Sequence, residues 1–388
     1  ARVIRRYLAV YGLAFVAFAG TLAGLNIQQD PYDVFASFKG KPAPIWGGTS
    51  TRMAKAYALR QQQPDCLILG TSRAAIGYGS AHPGFAGCTR IYNVGLQKAH
   101  IYELRRYLEH AMAEGEVKRV FLPLDFEMFR NTDVTIEGYS EDRLAVSPEG
   151  HRQAFPLNEI LGLALSLDSL KLSLMTLRSP HPATPWFEPS GDWNDQTLSN
   201  VLEIPKHGAW GTSQSATRIL ANLLGKQGAY TTDANGRLPY MSELERIVAM
   251  CREHGIALTM VIDPVHSSYH ELLFQIGLHD DFDAWKAQAG KIILANSPGQ
   301  KVWDFDRRNR YSEEPIPPHG ELARLMEGFW DPSHLRHSLG DHVLNVALSG
   351  RDPMTEELCT GAAATAPWSQ YNADRTELIL YCLDGLKK

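Results

Sequence analysis

The sequence predicts an α/β fold with a central parallel sheet covered by helices on both faces, joined to an N-terminal transmembrane helix and carrying a large insertion. Three observations predict it: an apolar N-terminal run, an alternation of short apolar runs with amphipathic segments, and a loss of that alternation in the middle of the chain. At 388 residues the chain is long enough for one elaborated domain or two modest ones, and we expect one.

The N-terminal segment predicts a single membrane crossing. Tyr7–Leu25 is apolar apart from small residues and a threonine, and Arg2, Arg5 and Arg6 precede it. About 20 residues of this kind cross a bilayer, and the arginines favour a cytoplasmic N-terminus. We therefore expect an anchor at residues 1–28 and the rest of the chain outside the cytoplasm. A cleaved signal peptide is the alternative, although the apolar run is long for one.

The expected limits of the other regions follow from composition. Residues 29–64 form a linker and a leading helix, with a Pro- and Gly-rich stretch at Lys39–Gly48 and a helix at Thr51–Gln63. Residues 65–350 form the α/β domain, and residues 351–388 form a C-terminal extension.

Short apolar runs alternate with helical patterns through the α/β domain. Because alternating strands and helices build a parallel sheet, ligands are expected outside the carboxyl ends of the strands. The predicted strands are Asp65–Gly70, Arg90–Val94, Val117–Asp125, Ile256–Asp263 and Lys301–Phe305, and the predicted helices between them are Ile101–Glu114, Met241–His254 and Phe282–Leu294.

The alternation is lost between about residues 131 and 240, a segment rich in Pro, Trp, Ser and Gly. A long insertion between sheet elements commonly forms a cap or a substrate wall. Its one apolar helix candidate, Asn158–Leu177, contains Asp168 and Lys171, which favour a packed or interfacial helix over a spanning one.

Charge and cysteine content exclude some functions. The net charge is -5, and the Lys and Arg residues are scattered, so nucleic acid is not expected as a partner. The five cysteines allow two disulfides, Cys66 with Cys88 and Cys359 with Cys382, or five reduced thiols. The spacing of Cys and His predicts no metal site, and we expect no cofactor.

Ser72 is the candidate nucleophile. It lies in Gly70–Arg73 (GTSR), one residue into the turn after a predicted buried strand. There its hydroxyl and backbone N–H can both face the cleft at a helix N-terminus, which is a natural site for an oxyanion. A serine after a strand is also a common helix cap, and that is the alternative.

Asp331 and His334 are the candidate partners of that serine. In the sequence DPSH the Asp precedes the His by three residues, so one turn can present the imidazole to a serine while the carboxylate holds its other nitrogen. The alternative is a capping Asp beside a surface His. A strand-end serine early in the domain and D-x-x-H near its end are in the order that a Ser/His/Asp hydrolase requires.

These motifs resemble those of the SGNH/GDSL hydrolases, which carry a Gly-Asp-Ser-like block, an oxyanion Gly, an oxyanion Asn and a late D-x-x-H. Asn93–Gly95 (Asn-Val-Gly) after the second predicted strand matches the second block. The resemblance implies a three-layer, flavodoxin-like fold in which Ser72 attacks the acyl carbon, His334 relays its proton and Asp331 orients His334. It also implies that the N–H groups of Ser72 and Gly95 hold the oxyanion.

Two positions depart from the family pattern. Thr71 stands where the family usually has Asp, and Asp125, in Asp-Phe-Glu, stands where it has Gly-x-Asn. An ionised carboxylate cannot donate to an oxyanion. Either another donor such as Arg73 completes the site, or Asp125 binds an acceptor hydroxyl, or the enzyme is impaired. Asp125 capping the turn after its strand is the structural alternative.

Further candidates line the same predicted edge or the insertion. His266 follows the Ile256–Asp263 strand and is expected either to bind sugar or assist the oxyanion, or to be a plain loop histidine. Trp186, Trp193 and Trp210 offer broad apolar faces to sugar rings, with core packing as the alternative.

The chain resembles more closely the membrane-anchored SGNH-like proteins that act in alginate O-acetylation and teichoic acid D-alanylation. This likeness rests on the anchor, GTSR and DPSH. It implies a single-pass protein of the bacterial inner membrane with a periplasmic domain, which transfers an acyl group, expected to be acetyl, onto a polysaccharide beside a membrane-bound O-acyltransferase (MBOAT) or glycan synthase. An esterase would use the same residues. The competing expectation is a catalytically impaired scaffold or glycan-binding subunit.

Overall fold

The structure is a computed structural model that describes residues 2–35, 49–178, 187–194, 198–199, 202–296 and 303–349. The predicted α/β class is confirmed, with a five-stranded, all-parallel sheet in the order β2-β1-β3-β4-β5. The strands are β1 Cys66–Ile68, β2 Ile91–Asn93, β3 Arg119–Leu124, β4 Ala257–Ile262 and β5 Trp303–Asp304.

Eleven helices of the described residues are labelled here. They are α1 Arg2–Gln29, α2 Thr49–Gln62, α3 Ser72–Gly77, α4 Ile101–Glu114, α5 Leu157–Ala164, α6 Leu167–Arg178, α7 Ile204–Leu224, α8 Met241–Glu253, α9 Ser267–Gln275, α10 His279–Asn296 and α11 His337–Leu344. The predicted helix Asn158–Leu177 is in fact two helices, α5 and α6, which meet at a bend of 55°.

The side chains of the strands alternate between two buried cores, as the period of two of a β-strand requires. On β3, Val120, Leu122 and Leu124 pack in one core with residues of α2, α4, α8 and α10. Phe121 points the other way, into a second core with residues of α3 and α11. Both faces of the sheet are therefore covered, which is why its strands are mostly apolar on both faces.

The sequence between β3 and β4 adds helices and no strand to the sheet in its described part. It contains α5, α6 and α7, followed by α8, which packs against α4. Because all strands run the same way, the residues that follow β1, β3 and β4 meet at one edge of the sheet. Asp125 and Asp263 follow β3 and β4 directly, and Ser72 follows β1 after a short turn.

The N-terminal helix α1 is 28 residues long and is apolar enough to cross a membrane. Residues 2–18 of this helix are exposed, whereas Leu22 and Asn26 near its end are buried. Those last turns pack against α5 and α6.

Cys66 at the start of β1 is bonded to Cys88, which lies just before β2. Cys251 is a buried free thiol in α8. Four further expectations lie outside the described residues: the Lys39–Gly48 stretch, Trp186, the pair Cys359 and Cys382, and the 351–388 extension. Lys301 and Val302 of the last predicted strand also lie outside them.

Two glycines allow α3 to lie very close to α11 and to the loop before it. A Cβ on Gly77 would lie 2.4 Å from Cγ of Leu335, and a Cβ on Gly340 would lie 1.8 Å from the carbonyl oxygen of Gly77. Both distances are far below van der Waals contact. Glycine at these positions therefore sets the distance between the helix that begins at Ser72 and the loop that holds His334.

We predict that Gly340→Ala lowers the free energy of unfolding by about 1–3 kcal/mol, because the added methyl group forces α11 away from Gly77. Denaturant unfolding of the purified chain in detergent measures it. Gly162→Ala on α5 is the control, since its Cβ meets nothing within 4 Å. An alanine there removes the helix penalty of glycine and should not destabilise. Equal losses in the two variants would contradict the packing argument.

Candidate active site

Ser72 is the first residue of α3, directly after the turn that ends β1. The cap of this helix is Thr71, whose Oγ1 accepts the backbone N–H of Arg73 at 3.3 Å. The alternative of Ser72 as a helix cap is therefore wrong. Because a neighbour caps the helix, the Ser72 hydroxyl is left to contact other groups, and its side chain is only half-buried.

Three predicted residues form a continuous hydrogen-bond relay. The Oγ of Ser72 lies 2.9 Å from Nε2 of His334, and Nδ1 of His334 lies 2.6 Å from Oδ2 of Asp331. The serine and the histidine are 262 positions apart in the chain. The residues predicted as the nucleophile, the base and the group that orients the base thus meet at the carboxyl edge of the sheet.

The loop that carries His334 is held by the same Asp331. Its Oδ1 accepts the backbone N–H groups of Ser333 and His334 at 2.8 and 2.9 Å, while its Oδ2 faces the imidazole. The N–H of Trp330 donates to the carbonyl of His334 and closes the loop. The alternative, a capping Asp beside a surface His, accounts only for the first oxygen of Asp331. The second oxygen contacts the imidazole ring.

Electrostatics favour an ionised Asp331 and a basic His334. Burial alone would raise the pKa of Asp331, but the charge of the His334 ring and the hydrogen bonds outweigh it and lower the pKa from 3.8. Burial alone would lower the pKa of His334, but the Asp331 carboxylate outweighs it and raises the pKa from 6.5. The pair therefore increases the basicity of the imidazole that faces Ser72.

Asn93 and Gly95 lie beside α3, but their polar groups are engaged with protein. The amide of Asn93 donates to the carbonyls of Ala74 and Tyr78, both at 3.0 Å, and its Oδ1 accepts the N–H of Gly95 at 2.9 Å. A Cβ on Gly95 would lie 2.4 Å from the backbone nitrogen of Ala75. Gly95 thus allows close approach to α3, and its N–H would have to leave Asn93 to bind an oxyanion.

Thr71 and Asp125, the two residues that depart from the SGNH/GDSL motif pattern, contact each other. The hydroxyl of Thr71 donates to Oδ2 of Asp125 at 2.6 Å, and Oδ1 of Asp125 accepts the N–H of Met128 at 3.2 Å. Asp125 therefore caps the short 3-10 helix Phe126–Phe129, as its structural alternative expected. Burial raises its pKa to about 6 despite the nearby charge of Arg73.

Arg73 lies behind the serine and is almost fully buried. Its guanidinium donates to Oε1 of Glu127 at 2.7 Å and lies over the ring of Tyr269. The Nε of Arg73 has no hydrogen-bond partner among the described residues. Arg73 is thus committed mainly to an ion pair, while one of its buried donors has no partner among the described residues.

Asp263, after β4, is a buried carboxyl group at this edge that sequence reasoning did not single out. The hydroxyl of Tyr78 donates to its Oδ1, while its Oδ2 has no hydrogen-bond partner within the described part of the chain. Burial raises the pKa of Asp263 to about 7, against the charge of Arg73. The signal for it in the sequence was its position. Asp263 comes directly after β4, just as Asp125 comes directly after β3.

His266 caps α9 and holds the loop that carries His334. Its Nδ1 accepts the N–H of Ser268, its Nε2 lies 2.7 Å from the carbonyl of Glu314, and its backbone N–H donates to the carbonyl of Pro332. Burial lowers the pKa of His266. Both ring nitrogens are thus engaged with protein, and the sugar-binding or oxyanion role stays a prediction that would need new contacts.

The tryptophans of the middle segment differ in exposure. Trp193 is buried against Phe187 in a small core beneath α3, so it packs inside the protein. Trp210 on α7 is 39% exposed and lies edge-on to His319. Of these two, only Trp210 offers a face to a sugar ring.

In the described residues, no group of three or more His, Cys, Asp or Glu side chains is arranged to hold a metal ion. No known family model matches this chain, and no curated protein matches it.

We predict that Asp263→Asn flattens the pH dependence of folding stability. A carboxyl group whose pKa rises from 3.8 in the unfolded chain to about 7 on folding favours the folded state when protonated, so stability falls as pH rises through that window. The variant should therefore gain most over the parent at about pH 8 and least at about pH 4. Urea titrations at both pH values measure it.

Asp142→Asn, at an exposed position, is the matched control and should keep the slope of the parent chain. A parallel shift of Asp263→Asn at both pH values would mean that the carboxyl group does not titrate in this window.

Proposed function

We propose that this chain is a membrane-anchored serine acyl-group enzyme of the SGNH type. In this proposal it transfers an acyl group, most simply acetyl, to a hydroxyl of a cell-envelope or secreted polysaccharide. The observation that carries the proposal is the relay from Ser72 through His334 to Asp331, at 2.9 and 2.6 Å. The parallel sheet, its strand order and the position of all three residues at its carboxyl edge support it.

In the first half of the proposed reaction, Oγ of Ser72 attacks the carbonyl carbon of the acyl donor while Nε2 of His334 takes the hydroxyl proton. A tetrahedral intermediate forms, and the negative charge moves to the former carbonyl oxygen. The bond to the leaving oxygen then breaks, and that oxygen receives the proton from His334. The acyl group stays on Ser72 as an ester, with Asp331 stabilising the transient imidazolium.

In the second half, a sugar hydroxyl loses its proton to His334 and attacks the Ser72 ester. The second tetrahedral intermediate collapses, His334 returns the proton to Ser72, and the acylated glycan leaves. Water in place of the sugar gives the esterase reaction. Transfer requires that water be excluded, and we assign that role to the segment predicted as an insertion at about residues 131–240.

The backbone N–H of Ser72 is the first oxyanion donor in this proposal. It is the first amide of α3 and has no hydrogen-bond acceptor among the described residues. Asp125 is not given that role, because both of its oxygens accept hydrogen bonds from Thr71 and Met128. A second donor comes either from the Gly95 N–H after it leaves Asn93 or from the open Nε of Arg73.

The proposed location is the bacterial inner membrane, with α1 as a single-pass anchor and the α/β domain in the periplasm. The length and apolar composition of α1 support the anchor. A membrane-bound O-acyltransferase or a glycan synthase is the proposed partner, since an acyl donor outside the cytoplasm has to be supplied through the membrane.

A non-catalytic scaffold or glycan-binding subunit is the second candidate. It is favoured by one observation, the use of Asp125 as a cap where the family has an oxyanion Asn. The relay favours the enzyme, since a scaffold has no need of a serine, a histidine and an aspartate within hydrogen-bond distance of one another.

We predict that Ser72→Ala lowers the turnover of an acetyl ester by at least about 10³-fold, because the acyl-enzyme cannot form. Release of p-nitrophenol from its acetate by the purified full chain measures it. Ser338→Ala, on the exposed side of α11, is the matched control and should retain full activity. Equal activity of the two variants, or none in the parent chain, would leave the scaffold as the better account.

We predict that activity rises with pH through a limb above pH 6.5, since His334 has to be neutral to act as the base and Asp331 raises its pKa. Asp331→Asn removes that charge, so the limb should move to lower pH while kcat falls by about 10⁴-fold. Initial rates over about pH 5 to 9 measure both effects. An unmoved limb would mean that another group controls the profile.

A further inference from the structure

The helices α5 and α6 expose an unusually apolar surface beside α1. Seven leucine and methionine side chains of these helices and of the bend between them are exposed, and the side chain of Leu167 has an exposed fraction of 66%. Solvent-facing helices of a water-soluble domain rarely carry a continuous apolar surface of this kind. The exposed apolar residues are Leu157, Leu161, Leu165, Leu167, Leu174, Met175 and Leu177.

The bend between the two helices is closed by a side chain of α1. The amide of Asn26, which is fully buried, donates to the carbonyls of Ala164 and Ser166 at 2.9 and 3.0 Å. Its Oδ1 accepts the hydroxyl of Ser173 at 3.1 Å. A helix break leaves backbone carbonyls without partners, and in hydrocarbon such groups have to be satisfied by protein. Asn26 does this at the bend.

The exposed surface of α5 and α6 continues that of α1. The last turns of α1 pack on both helices, while its preceding residues, from Val3 to Phe18, are exposed on all sides. If about 20 residues of α1 cross the bilayer, its last turns lie at the far interface. The two helices packed on those turns therefore lie at the same level.

The length and charge of the two helices favour the interface over the bilayer centre. With a rise of about 1.5 Å per residue, α5 and α6 are only about 12 and 18 Å long, and neither spans about 30 Å of hydrocarbon. Exposed Lys171 and Arg178 lie among the apolar residues of α6. Long basic side chains at an interface place their stems along acyl chains and their charges at lipid phosphates.

We propose that α5 and α6 form a membrane-embedded hairpin that docks the α/β domain on the outer leaflet, with acyl chains covering its leucines and anionic headgroups at Lys171 and Arg178. The proposal rests on α1 crossing the membrane, as in the proposed function. It adds a second membrane contact, which fixes the orientation of the domain. Two carboxylates belong to these helices. Glu159 of α5 is paired with Arg143 and Tyr57, and Asp168 in the first turn of α6 is exposed, so the two basic side chains outnumber the one exposed carboxylate.

Nitroxide accessibility in the full chain tests the hairpin. Leu161→Cys and Leu174→Cys are each labelled in a background with Cys251→Ala, Cys359→Ala and Cys382→Ala, then reconstituted in phosphatidylcholine vesicles containing a minority of phosphatidylglycerol. We expect collisions with oxygen to exceed those with a polar nickel reagent several-fold at both positions, because hydrocarbon dissolves oxygen and excludes the reagent.

Two control positions separate the hairpin from the anchor. Leu13→Cys on α1 should give the same lipid signature, and Glu253→Cys, exposed at the end of α8, should give the signature of water. Lipid contact at Leu13 with water contact at Leu161 and Leu174 would overturn the hairpin and leave the anchor standing. That result would also be expected if a protein partner covers this surface. Water contact at all four positions would remove the anchor as well.

Folding of each labelled chain is checked independently by circular dichroism.

A second experiment tests the contact with anionic headgroups and uses the double variant Lys171→Gln with Arg178→Gln. In the parent, removing phosphatidylglycerol should lower the ratio of oxygen collisions to nickel-reagent collisions at the labels on α5 and α6. In this variant, we expect that ratio to stay the same when phosphatidylglycerol is removed. An identical response in both chains would overturn the headgroup contact.

Discussion

The close packing of α3 against α11 is the constraint on which the candidate site depends. Ser72 and His334 lie on segments separated by most of the domain, and no local preference brings them together. The backbones of Gly77 and Gly340 approach so closely that no side chain fits between them. Leu335, the residue after His334, packs against Gly77 at the position that a side chain on Gly77 would occupy. The 2.9 Å distance between serine and histidine is therefore a property of tertiary packing.

The edge of the sheet also concentrates charge in a region with little water. One buried cation, Arg73, faces the carboxyl groups of Asp125, Glu127 and Asp263. Removing charges from water is unfavourable unless each one is paired, and one cation cannot pair three anions. Burial raises the pKa values of Asp125 and Asp263, the neighbouring carboxylates raise them further, and the charge of Arg73 offsets this only in part. Beside them, Asp331 stays ionised because it has backbone donors and its own histidine.

The sequence was sufficient where the signal is local or periodic. The apolar strands, the amphipathic helices and the apolar N-terminal helix all followed from patterns within a few residues, and so did the geometry of Asp331 and His334 within one turn. It was insufficient where distant segments decide the outcome. The contact of Thr71 with Asp125 and the hydrogen bonds of Asn26 at the break between α5 and α6 each join residues far apart in the chain. No spacing rule encodes such pairs.

The helix α2 connects the proposed membrane hairpin to the candidate site. On one side, the hydroxyl of Tyr57 donates to Glu159 of α5 at 2.7 Å. On the other, Nζ of Lys55 donates to the carbonyls of Asn93 and Gly95, both at 2.8 Å, in the loop that packs on α3. In the proposed arrangement, a domain held through such contacts stands at a fixed height above the bilayer. In the proposed reaction, Ser72 receives its acyl group at that height, which favours a donor presented by a membrane partner over one that diffuses in from solution.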